Sequence, residues 1–195
     1  MIDNIELIKP FLIFESEDDF YYLQILQRKK ENDLMSSNSR VIKNYYITSV
    51  ESLEKQYGEI KNLCKQFNAR ASMRLNKRSF EQCAYQTLLG VTNTIMNKDF
   101  KSVRRTYDRI CGQFHNDSNK KWILDVDDKT TDLERIKAAV KFCQPNEGSD
   151  KVLTFIPSKF GFHIITSPFN TNQFSQSSRL AIEIHKDNPT NLYIP

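Results

Sequence analysis

No two of the four cysteines, Cys64, Cys83, Cys111 and Cys143, stand at CxxC spacing, and no nearby histidine completes a zinc pattern with them. A zinc cluster is therefore not expected, and the thiols read as small buried hydrophobes in a reducing cytosol. Long apolar runs are missing too. No segment approaches the roughly 20 residues needed to span a bilayer. The opening stretch MIDNIELIKPFLIF lacks a basic leader region and is broken by acids and Pro10, so it does not read as a signal peptide. No membrane partner is expected. Neither sign of charge dominates: 28 Lys+Arg face 24 Asp+Glu, for a net +4. This mild excess permits nucleic acid as a partner without demanding it, so the placement of charge must decide. Internal repeats and low-complexity tracts are also absent.

What is present is a globular composition. Of the 195 residues, 39% are hydrophobic and 27% charged, enough for one sizeable core with or without an appendage. Residues 1–38 read as a helical N-terminal arm. Within it, Ser16 stands as an N-cap, Asp18 and Asp19 fall in the first turn, and Arg28, Lys29 and Lys30 gather at the far end. Residues 39–195 read as an α+β domain. The pattern predicts strands in RVIKNYYITS, NARASMRLN, KWILDVD, KVLTFIPS, GFHIITSPF, LAIEIH and NLYIP. It predicts helices after Ser49 or Ser52, after Ser79, over FKSVRRTYDRICGQF, and after Thr130 or Thr131. TNQFSQSSR is polar and reads as a connection.

The chemistry-bearing stretch is KKWILDVDDKTTDLERI, where Asp125, Asp127 and Asp128 crowd the exit of an apolar strand. Alternation puts Asp125 and Asp127 on one face, about 7 Å apart along the strand. Aligned carboxylates repel unless a cation lies between them, and hard oxygen ligands suit Mg²⁺ or Mn²⁺. The alternative is a harmless cluster at a strand end. A second stretch, IPSKFGFHIITSPF, places His163 inside an apolar strand. Gly161 allows a close backbone approach, and Ser158 and Lys159 stand in the preceding turn. A core histidine and a solvated lysine are the plain readings of the same residues. In LAIEIHKDN, Glu183 shares a strand face with His185, and Asp187 follows in the turn; either acid is a candidate third metal ligand.

The order WILDVD, then GFHII, then LAIEIH resembles the catalytic core of archaeo-eukaryotic primases and related primase-polymerases, over about the last ~75 residues. The family shows a DxD strand, a strand with a small residue two before a histidine, and a hydrophobic strand carrying an acid. This chain departs from it in having Gly161 where the family usually has serine, and in lacking a zinc cluster. The resemblance implies a mixed sheet with an RRM-like catalytic module flanked by helices, joining nucleotides with divalent cations. Carried over, Asp125 and Asp127 bind Mg²⁺ or Mn²⁺ and His163 contacts the incoming triphosphate. Glu183 or Asp187 completes the metal site, with Ser158, Lys159 and Gly161 beside the nucleotide.

Basic residues give the nucleic-acid side of this expectation. Arg70 and Arg74 lie on a polar strand face, Lys77 and Arg78 at a helix start, and Lys101, Arg104 and Arg105 along a helix. Solvated faces are the plain reading, as core packing is for Tyr45, Tyr46 and Tyr107, which otherwise stack bases. The expected partners are a single-stranded template, nucleoside triphosphates and replication proteins. The expected place is the cytoplasm of a bacterial or phage-infected cell, in keeping with a Lys-, Asn- and Ile-rich composition. The rival readings are a non-catalytic nucleic-acid-binding accessory protein and a metal-dependent nuclease, which also uses clustered carboxylates.

Overall fold

The computed structural model describes residues 1–32, 39–115, 117–128, 130–178 and 182–195. Within them the chain is α+β, and every strand pairing is antiparallel. The strands are β1 (Ile2–Asp3), β2 (Asp19–Arg28), β3 (Ser39–Ile47), β4 (Arg70–Met73), β5 (Arg78–Ser79), β6 (Trp122–Val126), β7 (Val152–Pro157), β8 (Phe162–Thr166), β9 (Glu183–His185) and β10 (Thr190–Ile194). The helices are α1 (Ile5–Ile8), α2 (Val50–Gln66), α3 (Phe80–Met96), α4 (Thr106–Gln113), α5 (Leu133–Lys141) and α6 (Thr171–Ser178). No helix among the described residues is long and apolar enough to cross a membrane.

The first sheet runs β1-β10-β4-β2-β3, with β5 also paired to β2. Its strands alternate. Leu23 and Ile25 of β2 stand opposite Met73 and Ala71 of β4 and enter the main core with Leu53, Ile60 and Cys64 of α2. The other face carries Gln24, Leu26, Arg70 and Ser72, which is why it stays polar. At one end of that face Phe20, Tyr22 and Tyr46 pack with Cys83 of α3 and Cys111 of α4. The long helices start where their caps dictate: Ser49 Oγ accepts from Ser52 N and Ser79 Oγ from Gln82 N, both at 3.0 Å. α5 begins later than either threonine predicted, because Asp132 accepts from the Glu134 and Arg135 amides.

The second sheet runs β7-β8-β6-β9. Its connectivity is β6-α5-β7-β8-α6-β9, two interleaved β-α-β units, each with a strand of the other between its own two. Leu124, Val126 and Ile164 face α5 and α6 in a second core with Ile136, Val140 and Phe174. The opposite face is divided. Ile123, Ile156 and Ile165 join the core of the first sheet, while Asp125 and His163 remain beyond it. Buried Asn4 ties the sheets together, its Nδ2 donating to Pro157 O at 3.0 Å and to Asn191 O at 2.8 Å.

Two expectations need correction. The segment predicted as a helical arm holds β2, a central strand, followed by a 3-10 turn over Lys29–Glu31; residues 33–38 lie outside the described residues. The first half of β2 is buried on both faces, Tyr21 and Leu23 in the main core and Phe20 and Tyr22 against α3 and α4, and this masks the alternation that marks a half-exposed strand. Asp19 does cap backbone amides, but those of Glu15 and Ser16 in a turn. The stretch after Phe169 contains α6, which buries only Phe174 and Ser178 of its eight residues, too weak a stripe to read.

Candidate active site

Between the sheets lies a cleft of about 480 Å³. The second sheet contributes Asp125, Asp127, Ser158, Lys159, His163 and Glu183; the first contributes Arg28, Arg70, Ser72 and Asn191, with Lys30 and Glu31 from the turn after β2. Three predicted acids therefore share one hollow with the predicted histidine.

The register explains the convergence. Asp125 is the direct cross-strand partner of His163 on β8 and of Glu183 on β9. One row of side chains thus reads His163, Asp125, Glu183, pointing away from α5 and α6. Asp127, two residues on, is exposed at the strand exit. Like charges directly opposite each other destabilise a sheet. Glu183 turns its carboxylate toward His185, with 3.3 Å between Oε2 and Nε2. Among the described residues no three of His, Cys, Asp and Glu are gathered in ligating geometry.

His163 is held from both sides. Its Nε2 lies 3.5 Å from Asp125 Oδ1, and its Nδ1 is 2.9 Å from Thr190 Oγ1 on β10 of the other sheet. Burial pushes its pKa below the ordinary histidine value, against the opposing pull of the Asp125 carboxylate. The ring is therefore neutral at pH 7. A hydroxyl proton donated to Nδ1 leaves the ring proton on Nε2, on the Asp125 side.

Opposite stand the cations. The Arg70 guanidinium grips Glu31 with both Nε and Nη2, the Nε contact being 2.9 Å, and Lys159 Nζ lies 3.5 Å from the same carboxylate. Burial would raise the Glu31 pKa, but Arg70 and Lys159 hold it below the usual carboxylate range. Glu31 was not expected here, since the helical reading placed it at the end of an arm. Thr190 was missed because nothing in NPTNLYIP marks it.

The turn before β8 is closed tightly. Ser158 N donates to Gly161 O at 2.9 Å, and Gly161 N donates to Ser158 Oγ at 3.0 Å. A Cβ on Gly161 would stand 1.7 Å from Val126 O, so the close approach is to the backbone of the DxD strand rather than to a ligand.

Asp187 does not face the cleft with the other acids. Its carboxylate accepts from Arg78 Nη2 at 2.6 Å, from Asn76 Nδ2 at 3.0 Å and from Arg74 Nη1 at 3.3 Å. Those bonds remove it from the candidate ligands and also account for two expected nucleic-acid contacts. Arg78 is fully buried and Arg74 is mostly buried. Lys77 is paired with Glu15 and Asp19 at 2.5 and 3.0 Å; burial works against its charge, but these partners raise its pKa to about 12.

A second, more open cleft of about 860 Å³ lies over the continuation of the same polar sheet face. Gln24 lines it and is the register partner of Ser72, which lines the first cleft. Arg40 and Lys43 of β3 and Arg105 and Arg109 beside and within α4 give it a cationic rim. Of the predicted helical cations only Arg105 is in this set; Lys101 and Arg104 are exposed elsewhere on the surface. Tyr45 lies in the main core, while Tyr46 and Tyr107 pack with the third core, as core aromatics do.

Compared with protein-family models, curated proteins and solved structures, the chain finds no match in any of the three.

Proposed function

We propose that the protein is a metal-dependent nucleotidyltransferase of the primase-polymerase kind, acting on nucleic acid and nucleoside triphosphates. The observation that carries this reading is the shared cleft: Asp125, Asp127, Glu183 and His163 on one wall, Arg70 on the other and Lys159 at the turn between strands. Acids for a cation and bases for its phosphates face one another across a hollow of nucleotide size. The β6-α5-β7-β8-α6-β9 connectivity supports an RRM-like module, since it is the split β-α-β pattern of that fold.

The donor set fits a hard divalent cation. Asp125 and Glu183 oppose each other as like charges, and Asp127 is exposed beside them. These three residues would hold Mg²⁺ or Mn²⁺. When bound, the cation neutralises triphosphate charge and lowers the pKa of an attacking 3′-hydroxyl. The protein's own groups do the rest. His163, its ring fixed by Thr190, offers Nε2–H to a phosphate oxygen. Arg70 and Lys159 exchange the Glu31 carboxylate for phosphate oxygens, which match the planar guanidinium equally well. The cationic second cleft leads a single strand along the sheet face toward Asp125.

The test is primer extension or dinucleotide synthesis with Mn²⁺. Product formation that is abolished in Asp125→Ala/Asp127→Ala supports the proposal. The outward turn of Glu183 favours a second reading, an accessory protein that binds nucleic acid without catalysis. In that case strand binding persists, insensitive to chelators and to the double substitution, and no product forms. Strand degradation without nucleotides marks a nuclease.

A further inference from the structure

Past Phe80, which stacks on Phe20, helix α3 turns its large apolar residues outward. The side it turns to the protein carries small groups: Cys83 and Thr94 are buried, and a Cβ on Gly90 would stand 2.9 Å from Thr106 Cγ2, so α4 packs directly on the helix backbone. The side it turns to solvent carries Tyr85, Leu88, Leu89, Ile95 and Met96, with Phe100 just beyond the end; each is 47% to 74% exposed. At 100° per residue the five helical positions fall within an arc of roughly 120°, the width of a stripe that normally faces a core. Between Glu81 and Lys98 the helix has no charged residue at all. A contiguous apolar face of this kind on a chain surface marks an interaction site.

We propose that this face is a homodimer interface, in which α3 packs antiparallel against α3 of a second copy about a two-fold axis. The distribution of charge selects this occupant. Glu81 is exposed in the first turn, and Lys98 and Lys101 are exposed past the last, outnumbering the exposed Asp99 between them. An antiparallel two-fold pairing sets Glu81 of each copy against Lys98 and Lys101 of the other, so one patch complements itself, as an isologous contact requires. A membrane surface fits less well. Interfacial helices carry Lys and Arg along the polar face that flanks the apolar stripe, whereas here that face is packed on α4, the stripe is bordered by Gln82 and Asn93, and the one polar residue within it is the uncharged Thr92. The stripe lies outside both clefts, so the proposal stands independently of the function proposed above.

The experiment is sedimentation velocity on the full chain over a range of concentrations. The wild type sediments as a species of twice the 22.9 kDa chain mass. Leu88→Glu/Met96→Glu sediments as one chain and keeps the wild-type circular-dichroism spectrum, because both side chains are exposed on the single folded chain; its melt no longer depends on protein concentration. Glu81→Lys weakens the dimer by about tenfold, and adding Lys98→Glu and Lys101→Glu restores it. A wild-type chain that stays monomeric at every concentration overturns the proposal. So does a dimer that survives the Leu88/Met96 substitutions, or a stripe that binds anionic vesicles while the protein in solution is monomeric.

Discussion

Thr190 Oγ1 lies 2.9 Å from Nδ1 of His163, so a hydroxyl on one sheet orients the imidazole of the other. Thr190 is fully buried and its backbone pairs with Met73, which leaves the hydroxyl little freedom. Thr190→Val keeps the shape and removes the bond. The expected result is a loss of about ten- to a hundredfold in nucleotidyl transfer, as when the partner that orients a site histidine is removed. Strand binding through the second cleft stays intact, and steady-state rates beside a strand-binding titration measure both.

Asp187 is the second residue whose meaning depends on contact across the fold. It is the carboxylate partner of Arg78, which is fully buried, and of Arg74. Asp187→Ala leaves that guanidinium charge uncompensated, which costs about 3–5 kcal/mol. Urea unfolding should show the loss as a lower midpoint at unchanged slope. Glu183→Ala, at an exposed side chain, should change stability by only a few tenths of a kcal/mol while impairing metal-dependent activity.

Much of the site was legible in the sequence, and the reason is local. Trp122, Leu124 and Val126 pack toward α5 and α6, while the opposite face passes from Ile123 in the main core to Asp125 at the cleft, so the common direction of Asp125 and Asp127 followed from the pleat. Ser49 and Ser79 announced their helices through capping chemistry. Asp187 could not be told from Glu183, because the choice rests on Arg78, 109 residues away, and no local pattern encodes that contact. β2 misled for a related reason: Asp19 does cap backbone amides, those of Glu15 and Ser16, but in a turn, and the first half of the strand behind it is buried on both faces. Glu31 was hidden by the same misreading.

Glu31 occupies the seat that the proposal gives to phosphate. Glu31→Gln removes its charge from Arg70 and Lys159, so inorganic triphosphate should bind several-fold more tightly than to the wild type. Isothermal titration calorimetry at low salt measures the difference. Arg70→Ala should abolish the gain, since the guanidinium is the shared partner of both anions.

Acid should destabilise the fold. Burial lowers the pKa of His115 below the ordinary 6.5, helped by Arg78 and Lys120 and opposed by Asp187 and Asp117; burial lowers His163 as well. Each ring is held neutral when folded and takes up a proton more readily when unfolded. Below about pH 6.5 the unfolded chain therefore binds more protons, and stability falls as the pH drops through and beneath that value. Urea midpoints at pH 7.5 and 5.5 should show the decline, and His115→Gln should make it shallower.

The central claim is that Asp125, Asp127, Glu183 and His163 hold a cation and its phosphates in one place. The most direct measurement is a crystal structure of the protein with Mn²⁺ and a non-hydrolysable nucleoside triphosphate, with manganese located by its anomalous signal. The expected result is a manganese peak among the three carboxylates, with the γ-phosphate within reach of His163 and Glu31 displaced from Arg70. A manganese peak elsewhere, or a nucleotide bound outside the cleft with the Arg70–Glu31 pair intact, would contradict it.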